Sequence, residues 1–105
     1  MSWFYLLIAG IMEVVWATAL KFSEGLTKPL ATIITVVGMI ISFVFLSQAT
    51  KNLPLGTAYA IWTGIGAVGA VLVGIFLFHE HVSTARIIFL SCILVGIIGL
   101  KITTP

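Results

Sequence analysis

Along the 105 residues, polar and charged positions gather into three short clusters that separate four long apolar runs. Trp3 to Leu20 is apolar apart from Glu13, and Pro29 to Thr50 and Asn52 to Phe78 carry no charge. Val82 to Leu100 holds only Arg86 near its start, with Lys101 just past its end. The clusters between the runs are Lys21–Lys28, Lys51–Pro54 and His79–Arg86. A barrel strand would alternate every second residue. These runs are continuous, and each is near the roughly 20 residues a helix needs to cross a bilayer. Gly25 and Pro29 read as stop and restart signals in the first connection. The pattern predicts an all-α membrane protein of four transmembrane helices with very short loops, organised as a single domain over residues 1–105. The opening Met-Ser-Trp-Phe-Tyr lacks a basic stretch, so the first run reads as a retained span and not a cleaved signal peptide.

Composition narrows the function classes. Hydrophobic residues make up 61% of the chain and charged ones 8%. A soluble domain carries about a quarter charged residues, so a soluble enzyme is excluded. A net charge of +2 without a basic cluster gives no footprint for nucleic acid. Cys92 is the single cysteine, which excludes an intrachain disulfide and a cysteine metal cluster. Phosphate-binding loops, nucleophile elbows and His-Glu-x-x-His patterns do not occur, so no enzymatic activity and no cofactor are expected. His79-Glu80-His81 has no third ligand group beside it and reads as a solvated connection, not a metal site.

Four spans place both termini on one side of the membrane. Lys51 and Lys101 fall on that side, against Lys21, Lys28 and Arg86 on the other. So small a bias does not choose an orientation. Either another signal fixes one topology, or copies insert both ways and pair antiparallel. Four thin helices enclose a polar path poorly, which suggests a two-fold homodimer. Antiparallel protomers would be inverted repeats of each other, an arrangement transporters use for alternating access.

Glu13 is the most informative residue. It is the one acidic side chain well inside a span, where an ionised group costs about 2.5–3.5 kcal/mol on insertion scales. Burial penalises the charged form, which suits the group to taking up and releasing a proton. Ala9, Gly10, Trp16 and Ala17 share its helix face. The small residues admit another backbone, and Trp16 offers an N–H donor and a ring face that attracts cations. Lipid packing is the plainer role for that tryptophan. In the third run Tyr59, Trp62, Thr63, Gly66 and Ala70 follow helical spacing. Tyr59 and Trp62 suit a site, although aromatics near a helix end also form headgroup belts. Gly64-Ile-Gly66-Ala-Val-Gly69 suggests a bend or hinge at Gly64 and Gly66, tight packing, or both. Ser42 can bond Glu13 across helices or return to its own helix carbonyl. Gly96 and Gly99 give the fourth run the look of a packing or dimerisation element. A lone intramembrane carboxylate lined by aromatics binds a proton or a small cation, and competition for that one group couples the two.

Gly-Ile-Met-Glu13-Val-Val-Trp16-Ala-Thr-Ala-Leu-Lys21 and Leu-Pro54-Leu-Gly-Thr-Ala-Tyr59-Ala-Ile-Trp62-Thr-Gly-Ile-Gly resemble the small multidrug resistance transporters, as does the closing Gly-Ile-Ile-Gly-Leu-Lys101. Trp16 resembles the guanidinium-exporter subtype; the multidrug subtype usually has glycine there. The resemblance implies an antiparallel, dual-topology homodimer in a bacterial inner membrane that exports guanidinium in exchange for protons by alternating access. It implies Glu13 as the shared proton and substrate carboxylate, held by Trp16, Ser42 and Trp62. Tyr59 would line the site and help switch access, and Gly64 and Gly66 would form the bend in the third helix. The implied partners are protons, guanidinium-type small cations, a second copy and the lipid bilayer. Two alternatives stand beside this reading. One is a multidrug pump for lipophilic cations. The other, from a different class, is a non-transporting membrane subunit whose Glu13 pairs with a partner's cation.

Overall fold

The computed structural model describes residues 2–104. Among them are four helices, α1 (Ser2–Phe22), α2 (Pro29–Thr50), α3 (Leu55–Leu77) and α4 (Thr84–Thr103), and no strand. All four are long and apolar enough to cross a membrane. The boundaries follow local chemistry. After Phe22 the backbone turns left-handed at Glu24, Gly25 and Leu26, which ends α1. Ser23 pins that turn: its hydroxyl donates to the Leu20 carbonyl at 2.6 Å and accepts from the Leu26 N–H at 3.0 Å. Pro29 then sits in the first turn of α2, where a missing N–H is harmless. Pro54 precedes α3, so that helix starts three residues later than the uncharged run. Ser83 caps α4 by accepting from the Arg86 N–H at 3.2 Å.

The helices lie side by side in the order α2, α1, α3, α4. α4 is flanked by α3 alone and buries no residue. The resulting body measures 43 × 35 × 16 Å, one thin layer instead of a closed bundle. Its interior is small: Leu6, Ala9, Ala49, Leu53, Ala58, Ile61 and Trp62 cluster where α1, α2 and α3 meet near the chain termini. Three of the seven are alanines, whose small side chains let the helix backbones approach closely. Large hydrophobics such as Leu30, Phe76, Phe89 and Ile102 point outward, as a lipid environment allows. Cys92 is exposed on α4 and takes no part in packing inside the chain.

Candidate functional site

α1 carries the carboxylate, and glycines on its neighbours bring them close to it. A Cβ at Gly66 of α3 would overlap the carboxyl carbon and both oxygens of Glu13, so this glycine is the surface on which the carboxylate rests. One turn further along, Gly69 receives Val14, and on the opposite flank Gly38 of α2 receives the base of the Trp16 side chain. α1 is thus seated between two glycine-bearing helices at the level of Glu13. Among the described residues, two polar atoms there are buried without a hydrogen-bond partner, Glu13 Oε1 and Trp16 Nε1. Buried polar atoms are nearly always paired, so two orphans on adjacent turns mark a site that something else completes.

A second cluster lies one turn toward the N-terminus of α1. Ser42 Oγ donates to the Ala9 carbonyl at 2.7 Å, and Trp62 Nε1 donates to Ser42 Oγ at 3.0 Å and to the Ala9 carbonyl at 3.2 Å. Ser42 therefore makes neither of the two bonds weighed from the sequence. It bonds across helices, but to backbone, because the missing bulk at Ala9 exposes that carbonyl to α2 and α3. Trp62 is fixed in the same way and does not touch Glu13 with its N–H in this conformation. Its ring lies 5.8 Å from Phe43 and 5.5 Å from Tyr59. Tyr59 itself is 55% exposed on the outer side of that stack. Glu13, Trp16 and Gly66 form one group; Ser42, Trp62 and Tyr59 form another, joined to the first through Ala9.

α3 runs unbroken through Gly64 and Gly66. Gly64 faces Ile97 and Ile93 of α4. In this conformation both glycines serve close approach. The Ala9 carbonyl as acceptor for two side chains is not legible from residue types; the spacing of Ala9 one turn before Glu13 is its one cue. Groups of three or more His, Cys, Asp or Glu able to hold a metal are not found among the described residues.

The profile of the Small Multidrug Resistance protein matches residues 1–93. The chain belongs to the small multidrug resistance family. Among relatives, this small multidrug resistance protein is similar to the "Guanidinium exporter" of Citrobacter freundii, 56% identical over 104 residues, which is 99% of either chain. The Salmonella typhimurium protein of that name shows the same identity and coverage. The one from Escherichia coli strain K12 is 52% identical over 104 residues, again 99% of each. With four apolar helices of spanning length, the chain is a multi-pass integral membrane protein of the bacterial plasma membrane.

Proposed function

We propose that two copies of this chain pair antiparallel, in dual topology, and export guanidinium in exchange for protons by alternating access. The observation that carries the reading is the pair of buried atoms Glu13 Oε1 and Trp16 Nε1, unpartnered among the described residues, in a layer 16 Å thick. A single layer cannot surround a substrate, and a second layer across it supplies the missing walls. The near-even split of Lys and Arg between the two membrane sides, and relatives named guanidinium exporters, point the same way.

Guanidinium suits such a chamber physically. It is planar and charged, and its forked N–H donors match the two oxygens of a carboxylate. Glu13 binds either the cation or a proton, so a proton arriving from one side releases the cation and an inward proton gradient drives export. Trp16 lends its N–H to the carboxylate and, with Trp62, bounds a flat cavity. Ser42 holds Trp62 in place through the bond at 3.0 Å. Tyr59 lines the opening and helps switch it, and the segment Gly64–Gly66 bends as access alternates.

Transport current from purified protein on a solid-supported membrane tests this reading. Guanidinium is compared with a bulky quaternary ammonium, and Glu13→Gln serves as control. Guanidinium current that Glu13→Gln abolishes is the expected result. Current with the bulky cation alone would assign a multidrug role. No current with either, from a folded dimer, would overturn transport and favour a subunit role.

A further inference from the structure

At the far end of the α1–α3 seam lies a second group of polar side chains that the proposed exchange at Glu13 does not use. A cavity of about 290 Å³ opens there between Thr18 and Lys21 of α1, Gly74 of α3, and Phe78 and Glu80 of the connection to α4. Ala17 and Ala70 also line it. These stand one helical turn, about 5.4 Å of rise, from Glu13 and Gly66 respectively. The cavity therefore lies on the same two helices as the inner carboxylate, about one turn away.

Glu80 stands at the mouth with unusual support. Its backbone N–H donates to the Gly74 carbonyl at 3.0 Å, with His79 before it in the left-handed region at φ 54°. This folds the connection back over the end of α3. The Glu80 carboxyl group lies where a Cβ at Gly74 would be, so the glycine gives it room to rest against α3. Among the described residues no hydrogen bond reaches that carboxylate. Its one ionic neighbour is Arg86, whose Nη2 is 3.6 Å from Oε1, too far for a hydrogen bond. The guanidinium of Arg86 instead donates from Nη1 to the His81 carbonyl at 2.5 Å. Lys21, the other cation at the mouth, is turned over the Phe78 ring, with Nζ 5.1 Å from its centroid.

We propose that Glu80 is a guanidinium subsite at the mouth of this cavity, a waypoint that takes the free cation in place of the loosely held Arg86 side chain. The inference rests on the guanidinium reading above and names a further site for the same substrate class. Three features carry it. The carboxylate is anchored by its backbone yet accepts no hydrogen bond, so its oxygens remain free for a donor-rich cation. A tethered guanidinium already sits beside it at ion-pair distance, which shows that the geometry admits that group. The Phe78 ring adds a face on which a planar cation can rest once Lys21 swings into water. The connection from His79 to Arg86, which reads from the sequence as mere solvated loop, thereby gains a ligand. In an antiparallel pair one such mouth faces each side of the membrane, so capture and release use the same chemistry. The two cations already have partners of their own, which disfavours a phosphate there.

Amide NMR of the full chain in bicelles separates this subsite from the inner one. In Glu13→Gln, guanidinium chloride is expected to give weak, saturable shifts confined to Gly74, Phe78 and Glu80, absent with tetramethylammonium chloride at equal ionic strength. Glu13→Gln/Glu80→Gln should lose them, and Glu13→Gln/Arg86→Gln should saturate at severalfold lower concentration because the tethered competitor is gone. In transport, Glu80→Gln with Glu13 intact should raise KM while kcat stays within about twofold, the mark of lost binding common to ground and transition states. Shifts that survive removal of Glu80, that tetramethylammonium reproduces, or that inorganic phosphate produces instead would overturn the subsite. A wild-type protein that neither binds nor moves guanidinium would instead sink the parent reading, and the two failures are distinguishable.

Discussion

Gly66→Ala is the substitution that examines the Glu13 site most directly. An alanine methyl at this position would overlap all three heavy atoms of the Glu13 carboxyl group. The carboxyl group, the far end of a flexible side chain, can leave its seat by rotating, so the cost falls at the low end of the about 1–3 kcal/mol typical of overpacking. If about 1 kcal/mol falls on the bound arrangement, guanidinium affinity drops by about 5-fold, since about 1.4 kcal/mol is a factor of ten. The assay is a tryptophan-fluorescence titration with guanidinium, alongside the transport KM. Gly56→Ala is the control, because nothing lies within 4 Å of a Cβ there. Glu13→Asp supplies a second axis, for it withdraws the carboxyl group by about 1.5 Å, one C–C bond. Gly66→Ala/Glu13→Asp should therefore lose less than the sum of its two single changes, as contacting residues couple. Gly66→Ala binding within twofold of the parent, or strictly additive losses, would refute the claim that Gly66 is the seat of the carboxylate.

Two further outcomes follow from the same coordinates. Trp62→Phe and Ser42→Ala each break the bonds that converge on the Ala9 carbonyl. Each should lower stability in lipid by about 0.6 kcal/mol, and by no more than about 1.7, the range for hydrogen bonds between membrane helices. Unfolding in mixed micelles reads this, and the double change should be less than additive because one network is removed twice. Gly25, at φ 78° with open space around it, should tolerate a methyl sterically but not conformationally. Gly25→Ala is expected to destabilise by about 1 kcal/mol in the same assay while leaving the guanidinium KM of the folded protein unchanged.

Much of the architecture is legible because the bilayer imposes so strict a condition on the chain. The apolar runs ending at Leu20, Thr50, Phe78 and Leu100 stop within a few residues of α1 to α4. Glu13 stands out for the same reason, since a carboxylate in an apolar run has no casual explanation. What the chain does not spell out is register between helices. Only the packing reveals that Gly66 lies against Glu13 and Gly38 against Trp16, because several glycines on α3 offer equivalent spacing. The partner of Ser42 is hidden for a related reason. Its acceptor is a backbone oxygen, and every residue has one, so side-chain identity carries no signal. Glu80 was masked by its setting in a polar connection, where charge needs no explanation until Gly74 is seen beneath it.

The turn after α1 has a consequence for how the chain enters the membrane. Residues Glu24 to Leu26 are all left-handed, and Ser23 is fully buried beneath them. A helix cannot propagate through such a turn, so α1 and α2 are held as a preformed hairpin and cannot straighten into one long rod. A hairpin inserts as a unit, and its orientation is decided once for both spans. Lys21 and Lys28 must then stay behind together or cross together, with Glu24 lying 3.5 Å from Lys28 to offset part of the charge being carried. The local backbone geometry of a few residues thus ties the facing of α1 to that of α2, whichever way the pair faces.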